Sequence, residues 1–294
     1  IASMSNASET SHPHLESASS TWISQSNTDQ PSQNQGFQKS WSSLVFLRKK
    51  ESLYQHLTSF EKGRFKGCCS PHAGDWLKAL PSPSLGLHMS DQQLRAAVGL
   101  RLGSQIFQPH SCVCGAEVDC LGHHALVCKF IKGRHQRHSM VNDVISRALK
   151  SALVPVFKEP VGLSFFDNLR PDGLSVIPWT HGKPLIWDAT CVNRLANCYI
   201  QHSEKDGPVV ADLAEAKKVS KYSALNSSYH FECVALETLG GFGTRTARFI
   251  KCLGLRIMQI TGDPLSPSHL RQRLSVALQL GNANCLLENI QSLC

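Results

Sequence analysis

Long apolar stretches are what this sequence most plainly lacks. No run approaches the roughly 18 apolar residues that a membrane-spanning helix needs. The N-terminus also shows no basic-then-apolar leader pattern, so nothing in the chain is expected to span or cross a membrane. Acidic residues are in short supply: 22 Asp and Glu stand against 30 Lys and Arg, and 14 His add latent positive charge. That balance favours an anionic partner, nucleic acid before membrane. The pattern of a small secreted disulfide scaffold is missing too. The 12 Cys are scattered along a long chain whose 41% hydrophobic content supports a real core, so intracellular thiols with some metal ligation are expected. A wholly disordered chain is excluded, and 294 residues allow one large or two modest domains. The first residue is Ile rather than Met, and the chain is expected to be a fragment of a longer reading frame.

What is present centres on Arg170 to Val192. Two runs of β-branched and aromatic residues, Leu174–Ile177 and Leu185–Val192, flank a turn-rich segment holding Pro178, His181-Gly182 and Pro184, the pattern of a β-hairpin. In an antiparallel pair centred near His181, Asp172 and Asp188 become opposite or diagonal neighbours, roughly 5 to 8 Å apart. Strand alternation puts Ile186, Asp188 and Thr190 on one face and Leu185, Trp187 and Ala189 on the other. An ionised carboxylate within an apolar strand is costly unless it is paired or binds a metal. Two such carboxylates are the hard-oxygen set that suits Mg²⁺. The plainer alternative makes Asp172 a turn residue and Asp188 a solvated edge.

A second informative stretch is Cys112-Val-Cys114-Gly115, followed by His124 and Cys128. Three Cys and one His around a short loop form the tetrahedral set of a structural Zn²⁺. His123 is an alternative to His124, Cys120 is a possible spare, and a loop of buried thiols is the competing reading. Directly after it, Lys129 to Lys150 carries six Lys or Arg and one acid. Val141, Val144, Ile145, Ala148, Leu149 and Ala152 form a helical stripe. The first turn would display Arg134, His135, Arg137 and His138, which suggests phosphate contact; a merely solvated face is the alternative.

Along the rest of the chain, residues 1–36 are rich in Ser, Asn, Gln and Thr and read as disordered. Residues 37–107 read as a helical segment, including a capping box at Ser90 and Gln93 and a stop at Gly103. Val156 to Leu163, carrying Glu159, reads as a first strand. Pro208 opens a helix on which Glu215, Lys218 and Tyr222 share a face. Tyr229–Glu237 reads as a strand, Thr244–Ile260 as a helix, and Ser266-Pro267 starts a last helix ended by Gly281.

Taken together, G-R-H-Q-R-H at 133–138, N-D at 142–143, E-P at 159–160, R-P-D at 170–172, W-D-A-T at 187–190 and K-K-x-x-K-Y at 217–222 resemble the C-terminal portion of non-LTR retrotransposon polyproteins. There a cysteine-histidine knuckle precedes a restriction-like endonuclease of the PD-(D/E)XK type. The resemblance covers roughly Trp76 to Asn284. It implies an α/β fold, a restriction-endonuclease-like central mixed sheet flanked by helices, with the knuckle at 108–130, the endonuclease domain at 131–285 and a tail at 286–294. It also implies that residues 76–103 resemble the end of a reverse-transcriptase region, although no Y/F-x-D-D polymerase motif occurs.

By the same resemblance Asp172 and Asp188 would hold Mg²⁺ or Mn²⁺, with the Ala189 carbonyl completing the shell and Glu159 as accessory acid. The general pattern has a Lys two residues after the second acid, where this chain has Thr190. Lys218 with Tyr222 would supply that function from the following helix, in preference to Lys217 or Lys221. Arg134, Arg137, His138 and Arg170 would contact nucleic acid. The implied activity is nicking of target DNA to prime reverse transcription, in the nucleus. Partners would be DNA, element RNA and the reverse-transcriptase portion of the polyprotein. A catalytically silent nucleic-acid-binding module is the alternative.

Overall fold

The structure is a computed structural model and describes residues 13–26, 38–163 and 169–288. The chain divides into two units, residues 1–58 and 59–294. In the first, helix α1 spans Pro13–Ser26 and α2 spans Gln38–Gln55. Over residues 13–26 the α1 helix departs from the expectation of disorder for residues 1–36. Pro13 sits at its first turn, where a missing N–H costs nothing. The Ser20 and Thr21 hydroxyls bond back to the Ser17 carbonyl at 3.0 and 2.7 Å, so polar side chains join the helix instead of competing with it. Residues 1–12 and 27–36 lie outside the described residues, as does the expected tail from 289 onward.

The second unit opens with α3 (Ser59–Cys69), a 3-10 turn at Asp75–Lys78 and α4 (Asp91–Leu102). The capping box at Ser90 and Gln93 is formed, and Gly103 closes α4 in the left-handed conformation. A two-stranded ribbon follows, β1 (His110–Ser111) with β2 (Glu117–Val118), then a 3-10 turn at His123–Leu126. Next come α5 (Lys132–Ser151), β3 (Val156–Lys158), β4 (Gly173–Thr180), β5 (Lys183–Val192), α6 (Val209–Lys221), β6 (His230–Glu237), α7 (Thr244–Thr261) and α8 (Ser266–Leu287).

These strands form one mixed sheet in the order β3-β4-β5-β6. The first three are antiparallel, and β6 lies parallel to β5. A parallel neighbour needs a crossover, which α6 provides. The expected alternation holds: Leu185, Trp187 and Ala189 join the core under α5, α7 and α8. Ile186 faces α6 with Ala211, Ala214 and Tyr222. The β4–β5 turn falls at His181-Gly182, both with positive φ (48° and 74°), as a two-residue hairpin turn requires. A Cβ on Gly173 would stand 2.0 Å from the Trp187 ring, so glycine after Asp172 is what lets the two arms close.

Gly281 does not end α8, contrary to the sequence reading. It sits mid-helix because an added Cβ would lie 2.5 Å from the Arg137 side chain. The ribbon and 3-10 turn are packed into the same unit, since Cys112, Val118, Leu126 and Cys128 share a core with Leu100, Ala283 and Leu286.

One buried ion pair fixes the far end of the sheet. Arg194 Nη1 lies 3.1 Å from Glu237 Oε2, both side chains fully buried. Arg194 also donates to the carbonyls of Ser203, Lys205 and Gly207, and Glu237 Oε1 accepts from the Val210 and Ala211 amides at the start of α6. Arg194→Met should lower the unfolding free energy by about 3–5 kcal/mol, because it leaves Glu237 buried and unpaired. Denaturant titration reads this, and a loss below about 1 kcal/mol, the scale of a surface pair, would contradict it.

Candidate active site and candidate metal centre

The hairpin register pairs Gly173 with Trp187, so the next step outward sets Asp172 against Asp188. The Asp172 amide donates to the Trp187 carbonyl at 2.8 Å, which extends the ladder to the acid itself. Asp188 is 4% exposed. A carboxylate so placed needs donors, and α6 supplies them. Lys218 Nζ donates to Asp188 Oδ1 at 2.7 Å. The fully buried Tyr222 donates its hydroxyl to Oδ2 at 2.5 Å, with the Arg170 carbonyl 2.9 Å away. Burial first, and then Asp188, hold the Tyr222 phenol protonated. Lys221 Nζ stands 3.3 Å from the same hydroxyl, and Lys217 lies over the Tyr199 ring instead.

Asp172 is served from α5 and from β5. His138 Nε2 donates to Asp172 Oδ1 at 3.0 Å, and the Ala189 amide donates to Oδ2 at 2.6 Å. Ala189 therefore enters through its N–H. Burial pushes the Asp172 carboxyl up, but His138 and Ala189 outweigh it and hold its pKa below the ordinary value. The hydrogen bond to Asp172 raises His138 against the opposing effect of burial. Asn142, one turn along α5, accepts from the Trp187 indole at 3.0 Å and places its amide nitrogen 3.1 Å from His138 Nε2. The sequence reading assigned Asn142 no role, although its i, i+4 spacing from His138 puts both on one helix face.

Asp172, Asp188, Lys218 and Tyr222 thus converge, and other candidates do not. Glu159 is exposed and reaches Asp172 only through its backbone amide, 2.9 Å from the Asp172 carbonyl. Arg170 is exposed and contributes its carbonyl. Arg134 is exposed, whereas Arg137 is 1% exposed and cannot meet a phosphate. That corrects the expected display of the first turn of α5: Arg137 points inward along the helical stripe, and His138 faces Asp172. The helix start is itself capped, since Glu288 accepts from the Lys132 and Gly133 amides at 2.8 and 2.6 Å. Glu215 does not join Lys218. It is buried and accepts from the Arg245 and Thr246 amides at the start of α7, with burial holding its carboxyl above the usual range.

The second cluster is Cys112, Cys114, His124 and Cys128, whose ligand atoms all lie within 4.8 Å of one another. Cys112 Sγ is 3.7 Å from Cys128 Sγ, and Cys114 Sγ is 3.2 Å from His124 Nε2. Zn–S bonds of about 2.3 Å and Zn–N bonds of about 2.0–2.1 Å imply tetrahedral edges of about 3.5–3.8 Å; the Cys112–Cys128 spacing matches and the others need only small side-chain shifts, so the cluster could hold a structural metal such as zinc. His123 turns away to Phe60 and to Arg64, whose Nη2 is 3.4 Å from its Nε2. Among the described residues every cysteine is a free thiol, and no helix is long and apolar enough to cross a membrane. No protein-family model and no curated protein matches the chain, so its own geometry carries the functional reading.

Two measurements test these sites. The raised pKa of His138 gives stability that is complete below its unfolded value of 6.5 and is lost as pH rises through the folded value. The lowered pKa of Asp172 gives stability that is complete above 3.8 and is lost as pH falls. The contact is therefore strongest between those limits, and His138→Gln should destabilise the chain more near about pH 6 than near about pH 9 in buffer free of divalent cations. Equal penalties would mean that the contact is uncharged. Metal analysis should find about one zinc per chain, lost in Cys128→Ser. Unchanged content in that variant would place the metal elsewhere.

Proposed function

We propose that this chain is a metal-dependent DNA endonuclease of the restriction-like type from a non-LTR retrotransposon, nicking target DNA in the nucleus to prime reverse transcription. One observation carries the reading: two carboxylates facing each other on the two arms of one hairpin are each held by their own donors, Asp172 by His138 and the Ala189 amide, Asp188 by Lys218 and Tyr222 from the following helix. A mixed sheet whose acid-bearing hairpin feeds a crossover helix supports the restriction-like architecture.

Asp172 and Asp188 fit Mg²⁺ or Mn²⁺ as hard-oxygen ligands, a divalent ion that keeps several waters being satisfied by one or two carboxylates. Such an ion supplies an activated water and stabilises developing phosphoryl charge. The protein's own share is orientation and charge. Tyr222 and Lys218 hold Asp188 in one rotamer. Lys218, 27% exposed, is the cation able to turn from Asp188 toward a phosphate, a role that Thr190 lacks the charge to play. Ala189 and His138 fix Asp172. With Arg137 buried, nucleic acid would meet Arg134, Arg170 and Lys221 at the exposed surface. DNA is the proposed partner, with element RNA and the reverse-transcriptase portion of the polyprotein beside it.

The silent binding module is favoured by one feature: each oxygen of both carboxylates already accepts a hydrogen bond from the protein. Supercoiled-plasmid nicking with and without Mg²⁺ or Mn²⁺ separates the two. Asp172→Asn and Asp188→Asn should each abolish nicking while DNA affinity holds or rises. In single-turnover cleavage Lys218→Ala should lose roughly 10²- to 10³-fold in rate, as expected for a group acting where charge develops, and Lys217→Ala should lose little. Retained nicking in either Asp variant would remove the pair from catalysis. Absence of nicking by the wild-type chain with either metal would favour the silent module.

A further inference from the structure

Arg137 is the most buried charged group on α5, and its surroundings do not match its charge. An arginine cannot shed its proton in a protein, and fully buried arginines are ordinarily paired. Arg137, 1% exposed, donates from Nη1 to Asn282 Oδ1 at 2.9 Å and from Nη2 to the Leu126 carbonyl at 3.0 Å. Its Nε is buried with no hydrogen-bond partner, and among the described residues no carboxylate pairs with it. The two thiols that interact with it stay neutral: burial pushes Cys191 up, and Cys285 up to about 11. The fold thus places a full positive charge in its interior without an anionic side chain to meet it, a cost of several kcal/mol if nothing else compensates.

The position of the Leu126 carbonyl shows where compensation can come from. Leu126 lies in the 3-10 turn between His124 and Cys128, two of the four residues of the Cys/His cluster. Cys112, Cys128 and Leu126 are all buried in the core that holds this turn against α8. Zinc binds cysteine as thiolate and histidine as neutral imidazole. Three thiolates and one imidazole on a divalent ion therefore leave one net negative charge. Lys129 and Lys132 beside the turn are exposed, where water screens them.

We propose that Arg137 is the buried counter-charge of the zinc–thiolate centre and a determinant of its zinc affinity, clamping the ligand loop at Leu126 to α8 at Asn282. The proposal rests on the cluster holding zinc. It makes Arg137 a positioning residue, since it touches the ligand loop and not the ion. Groups in this outer position typically alter metal affinity by about 10- to 100-fold.

The test uses the full chain as wild type, Arg137→Gln and Arg137→Lys. Zinc affinity is measured by competition with a chromogenic chelator, and melting is followed with zinc bound and after zinc removal. Arg137→Gln should lower zinc affinity by about 10- to 100-fold, and Arg137→Lys, which keeps the charge, should lose markedly less. The zinc-loaded Gln variant should melt below zinc-loaded wild type. The zinc-free Gln variant should melt no lower than zinc-free wild type, because it has lost an uncompensated buried charge. Equal affinity losses in Lys and Gln, or equal melting penalties with and without zinc, would overturn the proposal and leave Arg137 as a structural tie whose charge does not act on the centre. Should Arg137→Gln not fold, Arg137→Lys decides: zinc affinity within about tenfold of wild type supports the charge role, and a larger loss overturns it. A wild-type chain that takes up no zinc would instead remove the zinc reading itself, a separate result read directly by metal analysis.

Discussion

A carboxylate buried in the central part of a strand governs this fold. Asp188 sits on β5 with apolar neighbours before and after it, and an ionised acid there is tolerated only with donors on both oxygens. Lys218 and Tyr222 are those donors, so α6 must lie across the sheet with its C-terminal turn over Asp188. That placement depends on where α6 begins. Its first amides are capped by Glu237, and Glu237 is neutralised by Arg194, which also gathers the carbonyls of the loop between β5 and α6. The polar groups of the sheet thus form a chain of mutual requirement: remove Arg194 and the start of α6 loses its anchor, and with it the donors that make Asp188 tolerable. Such networks are stabilising only when every member is satisfied.

The α5 helix joins the two candidate sites. Its successive residues Arg137 and His138 point about 100° apart, one to the metal-ligand loop and the other to Asp172. Asn142, one turn further on, accepts from the Trp187 indole and lies beside His138. The same helix also begins under Glu288 at the end of α8. Because the Cys/His loop is packed into the core shared with α4 and α8, holding a metal there would be part of how the unit holds together, consistent with the folding role of structural zinc sites.

Local signals made much of this legible in the sequence. The hairpin followed from turn residues between β-branched runs, because only a two-residue turn with positive φ joins such strands closely. The α4 cap followed from Ser90 and Gln93, and a Cys/His cluster able to hold a metal from the spacing of its residues, with the structure choosing His124 over His123, since both interactions are closed within a short loop. Helix geometry allowed only one of Lys217 and Lys218 to face the hairpin, and the resemblance of the K-K-x-x-K-Y motif pointed to Lys218, whose contact with Asp188 the structure supplies. Errors arose where the deciding neighbour is distant in the chain. Gly281 reads as a helix stop because its partner, Arg137, is far away in sequence. The N-terminal departure has a local cause instead: the polar stretch reads as disordered, yet over Pro13–Ser26 the Ser20 and Thr21 hydroxyls bond back within the helix.

The sequence by itself determined most of the elements, the alternation that puts Asp188 on one face of β5, and the groups able to bind metal, because these depend on backbone preference and on contacts a few residues apart. Only the tertiary structure decided which charges meet. It buried Arg137, turned His138 to Asp172, left Glu159 exposed, set Glu215 to capping α7 and made the knuckle part of the core. The physical reason is that a side chain's charge has no fixed worth along the chain. Its consequence is set by desolvation and by partners that packing brings from elsewhere, and those are absent from any local pattern.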